Sequence, residues 1–297
     1  MVSVIITTCM RSPYMVQRAI NSVISQTYQD WELIVVDDSP ANYGERIQVK
    51  KTVESYGDNR IRYIAHEDNK GACVARNTGL EQAVGEYIAY LDDDDEWMPD
   101  KLLLQVDKMN KAENKVAMVY CGALVKRDTD IETAVRKQKY YRGKVFDYLI
   151  LDNFIGSTSF PLIKTEVLRK IGGFDPMMQA AQDADVWLKI AEKYEVDYIE
   201  QPLVCYHIHQ GERISNYPDK KINAYERLNE KYKEYLMSHP KAFSARYMKL
   251  AIVYARANMK KQALRIWWKA FLRRPWDFVL NGKYLVNIIR CKKQFAK

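Results

Sequence analysis

The chain has 297 residues, enough to bury a substantial core, and its 47% hydrophobic and 28% charged content is that of an ordinary folded protein. It holds no run of eighteen apolar residues, and the opening VSVIITT is too short for a secretory signal, so the sequence predicts neither a bilayer span nor export and fits the cytoplasm. The net charge is +8, yet from Lys241 to Lys297 fifteen Lys and Arg face one acid, Asp277, which makes that tail +14 and leaves the first 240 residues at −6.

The first half alternates strand-like and helix-like segments. VSVIIT (2–7), ELIVVDD (32–38), IRYIAH (61–66), EYIAYLD (86–92) and VAMVYCG (116–122) are short, apolar, β-branched runs that suit strands covered on both faces. Helical patterns over Tyr14–Ser25, Glu45–Tyr56, Ala72–Ala83 and Asp100–Lys111 separate them. This alternation predicts an α/β fold with a mostly parallel, doubly wound sheet, whose ligands bind at the carboxyl ends of the strands. Thr7 and Thr8, Asp37 and Asp38, and Asp92 to Asp95 stand at those ends. Beyond residue 125 the pattern weakens into a small helix (FDYLILD), strand-like STSFPLI, the helices TEVLRKIGGF and DADVWLKIAEKY, and the apolar run DYIEQPLVCYHIH. From Pro218 the pattern is helical, with breaks at Pro240, Met259 and Pro275. Five scattered cysteines (Cys9, Cys73, Cys121, Cys205, Cys291) without close-spaced pairs argue against a disulfide framework or a zinc cluster and suit a reducing compartment.

Four constellations carry chemistry. Asp92–Asp95 directly follow a strand and precede Pro99, so their carboxylates crowd a short strand-to-helix connection and repel one another unless a cation or donors offset them. Hard divalent ions shared with phosphates do this; a solvated acidic turn is the alternative, and an EF-hand loop is excluded because Trp97 stands where that loop needs glycine. Asp183 and Asp185 open a helix, where they suit either the helix dipole or the role of a general base. His207 and His209 form an H-x-H at the end of a strand-like run, so both rings point to one face, as metal ligands or as structural histidines. Arg76 suits an anionic phosphate or open solvent.

With these residues in view, the chain resembles the family 2 glycosyltransferases of the GT-A fold over residues 2–215. VSVIITTCMR is similar to that family's opening strand and SVISQTYQDWELIVVDDS to its next helix and strand. NKGACVARNTGLEQAVGEYIAYLDDDDEWMPDKL resembles the block ending in its D-x-D motif, and GGFDPMMQAAQDADVWLKI the block with its catalytic carboxylate. The resemblance implies an inverting transfer of a sugar from a nucleotide-sugar donor, UDP-linked, to an acceptor hydroxyl in surface glycan synthesis. It implies Thr7 and Asp38 against the base, Asp92 and Asp93 beside ribose and donor sugar, Asp94 on Mn²⁺ or Mg²⁺, His209 as a second metal ligand and Asp183 as general base, and it strengthens the phosphate reading of Arg76. Cys9 replaces an aromatic residue usual in the family, Met10 an Asn, and Gln182 an acid.

The expected organisation is a domain over 1–215, with a nucleotide-sugar half (1–125) and an acceptor half (126–215), followed by a basic helical region over 216–297. That tail mixes Trp267, Trp268 and Trp276 with Lys and Arg, which fits either the inner membrane face, where lipid-linked acceptors would lie, or packing on the body. Two rival readings compete with this one. A nucleotidyltransferase would want a glycine- and lysine-rich phosphate loop near the start, which is missing. A nucleic-acid binder would use the basic tail, which carries no nucleic-acid motif, so no nucleic-acid partner is expected.

Overall fold

The structure, a computed structural model, describes residues 1–127, 133–208 and 217–290. Two compact units emerge: Met1–Phe146 with Asn153–Pro176 and Val186–Gln210, and Asp147–Asp152 with Met177–Asp185 and Gly211–Lys297.

Among the described residues the first unit has nine strands: β1 (Val2–Thr8), β2 (Trp31–Asp37), β3 (Ile61–Ala65), β4 (Tyr87–Asp92), β5 (Glu96–Trp97), β6 (Val116–Arg127), β7 (Ala134–Val135), β8 (Leu162–Lys164) and β9 (Glu195–Ile208). They lie in the order β3-β2-β1-β4-β8-β6-β9-β5, with β7 on β6. The helices α1 (Pro13–Ile24), α2 (Arg46–Glu54), α3 (Ala72–Gln82) and α4 (Lys101–Lys111) fill the intervals with helical patterns. Short α5 (Phe146–Leu149) and α6 (Thr165–Lys170) follow, and α7 (Gln182–Lys193) precedes β9.

β3, β2, β1 and β4 run parallel, as the alternation predicts. The sheet then becomes mixed, because β8 pairs antiparallel with both β4 and β6. Of the strand-like STSFPLI only its last two residues join β8. Pro161 has no N–H to give a ladder, and the hydroxyls of Ser157, Thr158 and Ser159 are drawn to carboxylates instead.

Side chains alternate across β1, so its two faces have different partners. Val4 and Ile6 pack with Val16, Ala19, Ile20 and Val23 of α1 and with Leu33 and Val35 of β2, all buried. Ile5 points the other way, toward α3. There a Cβ on Gly79 would stand 2.4 Å from Ile5 Cγ2, so glycine lets the helix reach the sheet.

In the second unit, α8 (Pro218–Lys231), α9 (Lys233–Ser238), α10 (Pro240–Arg256), α11 (Lys260–Arg273) and α12 (Phe278–Arg290) are divided near Pro240, Met259 and Pro275 as expected, with a further break at Tyr232 that the sequence reading does not mark. Pro240 starts α10, where its missing N–H costs nothing. Asn258, at φ 63°, turns the chain between α10 and α11. Ala251 and Ala255 of α10, Ala263 of α11 and Ile288 of α12 form a shared small-residue core. Among the described residues no helix is long and apolar enough to cross a membrane.

Candidate functional site at the carboxyl edge of the sheet

Register places the acidic strand ends side by side. Thr7 of β1 lies level with Asp92 of β4, and Thr8 level with Asp37 of β2. The residues that follow these ends make the site.

Asp38 turns its carboxylate onto the N-terminus of α3. Its Oδ1 accepts from the Lys70 N–H at 2.8 Å and its Oδ2 from the Gly71 N–H at 2.8 Å. A carboxylate there is favoured by the unpaired amides and the helix dipole. Gly71 sits at φ 89°, a conformation that glycine adopts without strain. His66 Nδ1 completes the contact at 2.7 Å from Oδ1, with its Nε2 3.0 Å from the Thr78 hydroxyl. Cys9 lies beside this group, its Sγ accepting from Asn69 Nδ2 at 3.0 Å; burial and the neighbouring Asp38 push its thiol up to about 11.

Asp92, like Asp38, has three partners for its carboxylate. Arg76 Nη2 donates to its Oδ1 at 2.9 Å, Thr158 Oγ1 to the same oxygen at 2.8 Å and Ser157 Oγ to Oδ2 at 2.7 Å. Burial alone would raise its pKa, but the Arg76 charge and the two hydroxyls outweigh that and hold it below the usual carboxylate range. Arg76 is itself buried, beneath the Phe174 ring at 5.3 Å, and is therefore not a solvated surface arginine.

Asp93 and Asp94 share one cation. Arg11 Nε lies 3.3 Å from Asp93 Oδ1 and its Nη2 3.7 Å from Asp94 Oδ2. Burial pushes Asp93 up to about 7; Arg11 opposes this while the adjacent Asp94 and Asp92 add to it. Arg18 Nη2 donates to the Asp94 carbonyl at 2.6 Å, tying the acidic turn to α1. Asp95 is fully buried and raised well above the carboxylate range, chiefly by burial and then by Asp92 and Asp94. It accepts from Ser159 Oγ at 2.6 Å and from the His207 N–H at 3.2 Å. Ser159 Oγ in turn accepts from the Asp92 N–H at 3.1 Å, so one hydroxyl links both ends of the acidic run.

Thr7, Asp38, Arg76, Asp92, Asp93 and Asp94 thus all belong to the first unit and to one edge of its sheet. Asp183 belongs to the second unit, half-buried in the first turn of α7, where its charge is felt by Tyr225. Its neighbour Asp185 is fully buried and paired with Lys231 Nζ at 2.6 Å, a structural tie within that unit. His209 lies outside the described residues; His207 is buried with its Nε2 2.7 Å from Glu96 Oε1. Sequence reasoning missed Arg11, Arg18 and the Ser157–Thr158–Ser159 run. The consecutive hydroxyls ahead of Pro161 are a signal for that run, although their pattern is equally strand-like.

The edge gathers four consecutive carboxylates and three guanidinium groups. Such a set can hold a cation, orient hydroxyls and face an anionic group. The model described as Glycosyl transferase family 2 matches residues 3–172. The putative colanic acid biosynthesis glycosyl transferase WcaA of Escherichia coli (strain K12) is 29% identical, over 92% of this chain and 92% of its own length. The Escherichia coli UDP-Glc:alpha-D-GlcNAc-diphosphoundecaprenol beta-1,3-glucosyltransferase WfgD is 30% identical, over 68% of this chain and 75% of its own. Among solved structures, S. aureus TarS 1-349 in complex with UDP-GlcNAc superposes with a TM-score of 0.60 over 97% of this chain and 88% of that one, at 17% identity. That likeness extends the GT-A type α/β fold to this molecule. On the family match and the shared fold, the chain belongs to glycosyl transferase family 2.

Proposed function

We propose that this glycosyltransferase moves a sugar from a nucleotide-sugar donor, UDP-linked, to a hydroxyl of a glycan or lipid-linked acceptor, with inversion, in surface polysaccharide synthesis. The observation that carries the reading is the register of Thr7 with Asp92 and Thr8 with Asp37, which lines Asp38, Arg76 and Asp92–Asp95 along one edge. The names of the two relatives, one for colanic acid and one for a diphosphoundecaprenol-linked acceptor, support the substrate class.

In this reading residues 1–125 hold the donor and residues 126–215 the acceptor. Thr7 and Asp38 face the base, Asp92 and Asp93 the ribose and donor sugar, and Arg76 the phosphates. Asp183 takes the proton from the acceptor hydroxyl as its oxygen attacks the anomeric carbon, while the nucleoside diphosphate departs from the opposite face. Asp183 is preferred to Asp185 because Asp185 is fully buried, whereas Asp183 is half-exposed and open to an acceptor.

The fold family implies a divalent cation, and the donor set suits one. Asp94 offers hard carboxylate oxygen, and the carboxylates on either side of it are strained upward by burial and mutual repulsion, which a dication would relieve. Asp94, with His209, would hold Mn²⁺ or Mg²⁺, which when bound stabilises negative charge gathering on the diphosphate.

The tail supports a peripheral place on the cytoplasmic membrane face. Leu264, Trp268 and Leu272 recur every four residues on α11 and are 41%, 52% and 60% exposed, and Trp276 follows at 66%. Lys261, Arg265 and Lys269 flank that stripe, a pattern suited to anionic lipid. Flotation with anionic liposomes is expected to carry the full chain; its absence at moderate salt would reject the membrane placement.

The transfer itself is tested with a panel of sugar nucleotides, Mn²⁺ and membrane extract, reading the nucleotide released. Release of a nucleoside diphosphate that falls by about 10²–10⁴-fold in Asp183→Asn, with donor-induced thermal stabilisation retained, is expected. Near-normal turnover in that variant would overturn the base assignment.

A further inference from the structure

Strands β5 and β9 run antiparallel, with Glu96 directly opposite Cys205. Opposed residues share a face, and so does the residue two further along a strand, here His207. One donor atom from each of Glu96, Cys205 and His207 therefore falls within 4.8 Å of the other two. Cys205 and His207 are 7% and 5% exposed, whereas the Glu96 side chain is 34% exposed and leaves the trio open on its side.

We propose that Glu96, Cys205 and His207 form a binding site for a borderline-soft divalent cation, Zn²⁺, separate from any site on Asp94. A carboxylate, a thiolate and an imidazole with a fourth position left to water is a donor mix that zinc takes, whereas the thiolate is a poor ligand for the harder Mg²⁺ and Mn²⁺. Ligands of one tetrahedral ion stand about 3.5 Å apart. His207 Nε2 and Glu96 Oε1, now 2.7 Å apart, must therefore part slightly as the thiol closes in.

The charges balance. The Cys205 thiol gives its proton to solvent on binding, and Zn²⁺ with one carboxylate, one thiolate and a neutral imidazole is a neutral cluster. That neutrality lets the site tolerate Arg18, whose Nε stands 3.5 Å from Glu96 Oε1, and Lys126, whose charge also reaches Cys205 and His207. Occupied, the site would pin β5 to β9 immediately after Asp92–Asp95. The acidic turn is already coupled to it, since the His207 N–H donates to Asp95 and Arg18 donates to the Asp94 carbonyl. The inference does not depend on the transferase reading.

The test uses the full chain stripped with a chelator and titrated with Co²⁺, then Zn²⁺. One equivalent of Co²⁺ should give a thiolate-to-cobalt charge-transfer band that Zn²⁺ abolishes and excess Mg²⁺ does not. The band should persist in Asp94→Asn, and affinity should fall at least about tenfold in Cys205→Ser and His207→Gln. In the unaltered chain, Zn²⁺ should also protect Cys205 from alkylation, read by peptide mass spectrometry, a measurement independent of how the variants fold. Absence of the band, a band unchanged in Cys205→Ser, or no protection of Cys205 would overturn the proposal.

Discussion

Arg76 Nη2 and Asp92 Oδ1 stand 2.9 Å apart, joining α3 to the end of β4 by a charge-assisted bond. The pair is mostly withdrawn from water, and Ser157 and Thr158 complete the carboxylate's shell. Arg76→Ala would leave a shielded carboxylate without its cation, at a cost of about 2–4 kcal/mol, somewhat below that of a fully buried pair. The double variant Arg76→Ala, Asp92→Asn should lose less than Arg76→Ala alone. Urea unfolding of the three proteins checks this, and simple additivity would show that the pair is not coupled.

A second expectation concerns pH. Lys101 is fully buried against the Trp97 ring, 3.9 Å from its centroid, with Gln105 Oε1 at 2.7 Å, and burial lowers its pKa to about 8. Cys121 is the titratable neighbour that acts on it. The unfolded chain keeps this proton up to the ordinary lysine value near 10.4. Between about pH 8 and 10 the unfolded state thus binds more protons, and this group makes stability rise with pH. The contribution is on the order of 2–4 kcal/mol, and Lys101→Met should remove the rise. Chemical denaturation from pH 7 to 10 measures both; identical slopes would contradict the placement of Lys101.

The contact between Gly79 and Ile5 gives a packing test. A methyl at residue 79 would meet Ile5 Cγ2 at 2.4 Å, within a fully buried layer. Gly79→Ala should therefore destabilise by about 1–3 kcal/mol, although alanine favours helices. Adding Ile5→Ala, which removes the offending carbon, should cost less than the two single losses combined in thermal unfolding.

Asp183 and Asp185 should separate cleanly. Asp185→Asn breaks a buried ion pair with Lys231 and should cost about 3–5 kcal/mol. Asp183→Asn, at a half-exposed position of the same helix, should cost less stability than Asp185→Asn. The reverse order in calorimetry would exchange the structural and chemical roles assigned to the two acids.

The parallel half of the sheet was legible because its strands are apolar throughout and helical patterns separate them. The pattern located β1, β2, β3 and β4 to within a residue or two. The acidic strand ends were legible for the same reason, since Asp38 and Asp92–Asp95 stand where an apolar run stops. The antiparallel insertion was not. β8 is three residues long, and the hydroxyls before it are held by Asp92 and Asp95, which lie more than sixty residues away in the chain. Nor could the sequence join Glu96 to Cys205, because local spacing does not report cross-strand register. Arg11 and Arg18 were passed over because arginines in and just ahead of a surface helix resemble a solvated face until the fold turns them toward carboxylates.

β1 is hydrogen-bonded in register on both flanks, to β2 and to β4. The lateral alignment of the two acidic ends is therefore inherited from one seven-residue segment that is buried on both faces. An inserted residue in that segment would exchange its two apolar faces and also carry Thr7 and Thr8 past their neighbours. Change of length there is closed to this molecule, and its chemistry can be retuned only by exchanging side chains beyond the strand ends.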